Sequence, residues 1–164
     1  MNSPVRIRIS IPEQRLYLLK GEHIAAVYPV ATARNGPGEL QGSGCTPCGL
    51  HRIRCKIGAG APLNSVFVGR RPSGEIYTPA LAARYPRRDW ILTRILWLDG
   101  LEPGRNRGGE RDSLRRYIYI HGCPPELPLG APLSHGCIRI GNEAITELFE
   151  QVQVQDRVLI EGAC

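Results

Sequence analysis

The chain has 164 residues, 42% of them hydrophobic, and a formal net charge of +6. That length fits a single domain, residues 1–164, able to bury a core without crosslinks. No stretch approaches the about 18 apolar residues of a membrane span, and the positive balance favours anionic partners without choosing among them.

The first eight residues alternate charged with apolar side chains and carry neither an apolar core nor a small-residue cleavage site, so no signal peptide is expected. Short β-type runs over 5–10, 14–20 and 23–32 follow, with Leu16, Leu18, Val27 and Pro29 giving partial period-2 alternation, as in half-buried strands. Asn35-Gly36-Pro37-Gly38 and Gly42-Ser43-Gly44 read as loops. Residues 50–53 read as a strand-like run. Residues 100–116 are polar and rich in Gly and Arg. They predict a long unstructured loop that walls a cleft and closes over it. A strand over 117–122 ends on His121-Gly122, and a small polar turn follows at Ser134-His135-Gly136-Cys137. Asn142 is the expected cap of one clear helix, in which Ile145, Leu148, Phe149 and Val152 recur at helical spacing. Residues 157–160 close the chain as a strand. The 19 Gly and 14 Pro are spread along the chain as turns, with no repeat or linker.

A Cys in a glycine-bearing turn, with a His ending an apolar strand upstream, points to a thiolate nucleophile served by an imidazole base. Cys137 is then the nucleophile, and His121 the base that later acts as acid toward a leaving amine. The helix begins too far along for its dipole to govern Cys137, which leaves His121 as the main activator. The N–H groups of Gly136 and Cys137 are the candidate oxyanion donors. Ser134, His135 and Arg139 are candidate substrate-binding residues, Arg139 through its fork of donors to a carboxylate.

Ser134-His135-Gly136-Cys137, with His121-Gly122 upstream and the Thr46-Pro47-x-Gly49 turn, resembles the signature of the YkuD-type L,D-transpeptidase family. The resemblance covers most of the chain. It departs from some members at Arg139, where they carry Asn, and in lacking a wall-binding module. It implies a mostly β fold, a YkuD-like β-sandwich with one clear helix after the catalytic loop, and a backbone carbonyl, that of Gly122, orienting the His121 ring. It implies a cysteine peptidase acting on murein stem peptides, a substrate whose several carboxylates suit the basic charge. It also implies acylation of Cys137 by carbapenems. Signal-less relatives resemble cytosolic L,D-carboxypeptidases, so the expected reaction is release of D-Ala from tetrapeptides during murein recycling, in the cytoplasm. Transpeptidation is the alternative, giving 3–3 cross-links or exchanged D-amino acids. A basic module binding glycopeptide or nucleic acid without catalysis is the alternative of another class. The chemistry requires no metal or organic cofactor.

Two other clusters carry less. Cys45-x-x-Cys48, with His51 and Cys55 nearby, has metal-site or redox spacing, but the residues between are the Thr-Pro turn itself and no second pair follows. Cys123 is a neighbour of the site and a candidate oxidation partner of Cys137. Residues 105–111 look RGG-like, yet acidic residues interleave and aromatics are absent, so no nucleic-acid partner is expected, and no membrane partner either.

Overall fold

The structure, a computed structural model, describes residues 4–162; the leading Met1-Asn2-Ser3 of the signal-peptide argument lies outside them. Ten strands form one sheet: β1 (Val5–Ser10), β2 (Arg15–Lys20), β3 (His23–Ala31), β4 (Gly49–Ile57), β5 (Ser65–Val68), β6 (Arg71–Ile76), β7 (Ile91–Gly100), β8 (Tyr119–Gly122), β9 (Ile138–Ile140) and β10 (Arg157–Glu161). The pairing runs β4-β10-β1-β2-β3-β9-β8-β7, and β7 then pairs with β4. The expected sandwich is therefore a sheet closed on itself, its opposing walls sharing one core, while the β5–β6 hairpin hangs from β7. Closure leaves these eight strands without a free edge.

The core is aliphatic because the strands alternate. Ile7 and Ile9 of β1, Leu16 and Leu18 of β2, Ile120 of β8, Ile138 and Ile140 of β9, and Val158 and Ile160 of β10 all point inward. In β3 the alternation is opposite to the one expected. Val27 is 47% exposed, and Ala26 and Tyr28 face the core instead. Apolar residues occupy both faces of that strand, so composition did not fix which face turns inward.

The helix after the turn is α2 (Asn142–Gln151), between β9 and β10, and it buries Ile145, Leu148 and Phe149 against β7 and β8. Its N-cap is Gly141, not Asn142. The Asn142 amide is drawn away to the Cys123 carbonyl at 2.8 Å and to the Thr93 hydroxyl at 2.7 Å. Lys56 Nζ donates to Val152 O at 2.7 Å at the other end, where a cation meets the negative pole of the helix. A second, six-residue helix, α1 (Pro79–Arg84), was not legible in the sequence. Thr78 caps it by accepting from Leu81 N, with Pro79 in its first turn.

The long loop before β8 is ordered rather than unstructured. Asn106 is fully buried and donates to the carbonyls of Cys48 and Leu50, and Ser113 is buried against His51. Of residues 100–116, Arg115 and Arg116 line the cavity that holds Cys137 and His121. Among the described residues no helix is long and apolar enough to cross a membrane.

Candidate active site

Strands β8 and β9 are parallel neighbours in register Ile120↔Ile138, His121↔Arg139 and Gly122↔Ile140. Directly paired residues, and residues two apart, share a face of a sheet. The isoleucines therefore enter the core, and His121, Arg139 and Cys137 are left on the opposite face. There they line one cavity of about 470 Å3, with Gln41, Arg116 and Tyr117 on its other walls.

His121 is buried, and its Nδ1 lies 2.7 Å from Gly122 O. A carbonyl only accepts, so Nδ1 carries the proton and Nε2 is left as the basic nitrogen. Burial pushes the imidazole pKa below its ordinary value, opposed by the Gly122 carbonyl and the Asp89 carboxylate. The Gly122 carbonyl is itself held from behind. A Cβ at Gly122 would stand 2.3 Å from Asn142 Oδ1 and 2.6 Å from Leu92 O, so only glycine fits between β7 and α2. Thr93, at a bulge of β7 with φ 74°, donates to the same Asn142 Oδ1.

Cys137 sits half-buried at the cavity floor. Its thiol donates to Tyr117 O and accepts from Tyr119 N–H, both at 3.3 Å. The expected strand over 117–122 begins only at Tyr119, because Tyr117 adopts φ 58° and turns its carbonyl toward the sulfur. Desolvation pushes the thiol up to about 12, against the opposing pull of the Tyr119 N–H and of Arg139 and Arg116.

The turn before Cys137 satisfies itself. Ser134 Oγ donates to Cys137 O at 2.6 Å and accepts from Gly136 N at 3.2 Å. The Gly136 N–H is thus engaged inside the turn and Ser134 shapes that turn, while both residues also line the cavity. The Cys137 N–H remains the candidate oxyanion donor. Thr46 of the Thr-Pro-x-Gly turn clamps the loop: its Oγ1 donates to Gly136 O at 2.8 Å and accepts from Ala33 N at 2.9 Å. The two sequence motifs are thus one assembly.

His135 is exposed, with Nδ1 3.8 Å from Asp89 Oδ2. Arg139 is buried, donates to Leu133 O at 3.3 Å and lies 3.5 Å from Asp89 Oδ1. Arg139 therefore meets a carboxylate from the protein itself. Asp89, Arg116 and the Tyr119 N–H were missed from sequence, since each joins the site only through folding of distant segments.

The Cys45-x-x-Cys48 cluster has its own hydrogen-bond partners. His51 donates Nδ1–H to Gly49 O and accepts at Nε2 from Ser113 Oγ, away from Cys45, whose sulfur lies by Asn35 O and Ser43 O. Among the described residues no three of His, Cys, Asp or Glu converge as a ligand set. Burial raises the Cys123 thiol to about 11, with its sulfur 3.5 Å from Ile140 O. In the RGG-like segment, Arg105 pairs with Glu102 and Glu39, and Arg107 approaches Asp99.

A thiol and an imidazole opening on one cavity of a closed β-sheet define a class, the enzymes built around a cysteine and a histidine. Comparison with known proteins makes this specific. The family model of the YkuD L,D-transpeptidase catalytic domain matches residues 4–160, and the chain belongs to that family. It is 31% identical over 106 residues to the probable L,D-transpeptidase YbiS of Escherichia coli K12, covering 63% of this chain and 34% of that protein. The chain thus spans about a third of the length of that curated relative. Two solved structures share the fold at low identity. A mutant L,D-transpeptidase of Enterococcus faecium matches with TM-score 0.58 and 15% identity, over 97% of this chain and 50% of the other. The catalytic domain of an E. faecium L,D-transpeptidase, acylated by ertapenem, matches with TM-score 0.57 and 17% identity, over 98% and 99%.

Proposed function

We propose that the protein is a cytoplasmic L,D-carboxypeptidase that releases D-Ala from murein tetrapeptides or muropeptides carrying them. The observation that carries this reading is the shared cavity of Cys137 and His121, with His121 Nδ1 pinned by Gly122 O so that Nε2 is the free base. As the sulfur attacks the carbonyl of meso-diaminopimelate, Nε2 takes the thiol proton. The Cys137 N–H faces the developing oxyanion. The C–N bond then breaks, and His121 returns the proton to the amine of D-Ala. Water, deprotonated by the same nitrogen, hydrolyses the thioester and regenerates the thiol. These steps need no metal or organic cofactor.

Support for the cytoplasm comes from Cys45, Cys55, Cys123 and Cys137, which stand as thiols. The second reading, transpeptidation, shares the first half-reaction and is favoured by the relatives' names. The non-enzymatic binding module is set aside, because the family is one of enzymes.

Incubating the protein with a tetrapeptide muropeptide, alone and with added D-amino acid or a second stem peptide, tests the proposal by mass spectrometry. Tripeptide and free D-Ala in all cases support it. Dominant cross-linked dimers or exchanged D-amino acids would replace it with the transpeptidase. A carbapenem is expected to add one acyl group at Cys137, as ertapenem acylates the E. faecium domain. An adduct mapping to Cys45 or Cys55 instead would remove Cys137 from the nucleophile's role.

A further inference from the structure

Two arginines flank Cys137, and they differ in what already holds them. Arg139 is in contact with the Asp89 carboxylate. Arg116 is held by carbonyl oxygens alone, Cys45 O at 2.6 Å and Gly38 O at 3.3 Å, and forms no ion pair among the described residues. Its guanidinium is half-buried at the cavity wall, and burial lowers its pKa from the ordinary arginine value. It is also near the nucleophile. Cys45 O, its nearest partner, lies 3.4 Å from where a Cβ on Gly136 would stand, and Gly136 is the residue before Cys137. Carbonyl dipoles fix the fork in place, the Glu39 carboxylate acts on it only from beyond ion-pair distance, and a cation in a partly dry cleft attracts an anion strongly.

From this we infer that Arg116 is the specificity residue that reads the terminal carboxylate of the leaving D-Ala and so makes the enzyme an exopeptidase. The inference rests on the proposed carboxypeptidase activity. In a stem tetrapeptide that carboxylate lies two bonds beyond the scissile nitrogen, so its partner must stand beside the nucleophile, where Arg116 is. Neighbouring Arg115 also lines the cavity, but its side chain is exposed and has no such anchoring. A rigid fork that pairs two donors with two carboxylate oxygens gives orientation as well as affinity. The tie to Cys45 O joins this reader to the loop that packs on the catalytic turn, so recognition and nucleophile share one frame.

The test compares tetrapeptide acid with the same tetrapeptide as its C-terminal amide, in wild type, Arg116→Gln and Arg116→Lys, by release of alanine or alaninamide. Wild type is expected to favour the acid by about 100-fold in kcat/KM, the size of a lost buried charge contact. Arg116→Gln is expected to bring the acid-to-amide ratio close to one, and Arg116→Lys, which keeps the charge without the fork, to leave it intermediate. A purely structural arginine would lower both substrates together. An unchanged ratio in Arg116→Gln overturns the inference, and if that variant does not fold, an unchanged ratio in Arg116→Lys does so. Wild type that releases nothing from either peptide overturns the carboxypeptidase reading itself, a result distinct from an active enzyme that is indifferent to Arg116.

Discussion

Two buried histidines in this molecule look alike locally and differ in what their second nitrogen meets. His51 and His121 each lie on a strand, each give Nδ1 to a nearby backbone carbonyl, and burial lowers the pKa of both. His51 then accepts from Ser113 Oγ at 2.8 Å, which completes its hydrogen bonding inside the protein and ties the 100–116 segment to β4. His121 has its second nitrogen on the side of the cavity that it shares with Cys137. A fully satisfied imidazole holds structure, whereas a half-satisfied one is available for proton transfer. Burial and pKa do not separate the two; the partner list does.

The sharpest way to break this comparison is mutation on both sides of it. Cys137→Ala is expected to lower kcat/KM on the tetrapeptide by about 10,000-fold or more, and His121→Gln by about 1,000-fold, each with little change in thermal midpoint. His51→Ala should do the reverse. It leaves Ser113 and the Gly49 carbonyl unpartnered and costs about 3 kcal/mol of stability, measured by urea unfolding, while activity per folded molecule stays near wild type. A His51 variant that is stable but inactive would erase the distinction.

Acid pH sharpens it. The folded-state pKa of His51 is about 4, below the ordinary 6.5, so the unfolded chain takes up the proton first. The stabilisation is fully present above pH 6.5 and is lost as pH falls toward 4, by about 3 kcal/mol for a shift of this size. Denaturant titrations from pH 7 to 4 should show that slope, and His51→Gln should flatten it. His121 is shifted in the same direction, so kcat/KM should hold through neutrality and fall only below the ordinary imidazole range. Alkylation of Cys137 by iodoacetamide should keep rising with pH toward about 12, and a plateau near neutrality would reveal a resting thiolate.

The smallest expected effect concerns the clamp between the motifs. Thr46→Val removes the hydroxyl that bridges Ala33 N and Gly136 O while preserving shape. A drop of about 10-fold in kcat/KM and a loss of about 1–2 kcal/mol in stability are expected, since two buried bonds go and the catalytic turn loosens. Unchanged kinetics would show that Ser134 alone holds the turn.

Much of this was legible in the chain. The strands β1, β2, β4 and β10 and the apolar face of α2 follow from short β-type runs, local alternation or helical spacing, because burial on one side of an element leaves a trace in sequence. Cys137 and His121 were legible from residue types set in a Gly turn and at a strand end. The sequence did not show that Ser134 and the Gly136 N–H bond to one another inside the turn, because whether a polar group faces a ligand or its own turn depends on backbone dihedrals that composition does not specify. Asn142 looked like a cap for the same reason, and packing of β7 and β8 against α2 claimed its amide for Cys123 and Thr93. The closure of the sheet through β7 and β4, the placing of Asp89 against Arg139, and the carriage of Arg116 to the carbonyl behind Gly136 left no sequence trace. Each joins segments far apart in the chain, and such pairings are selected by the shape of the assembled core and not by any local pattern.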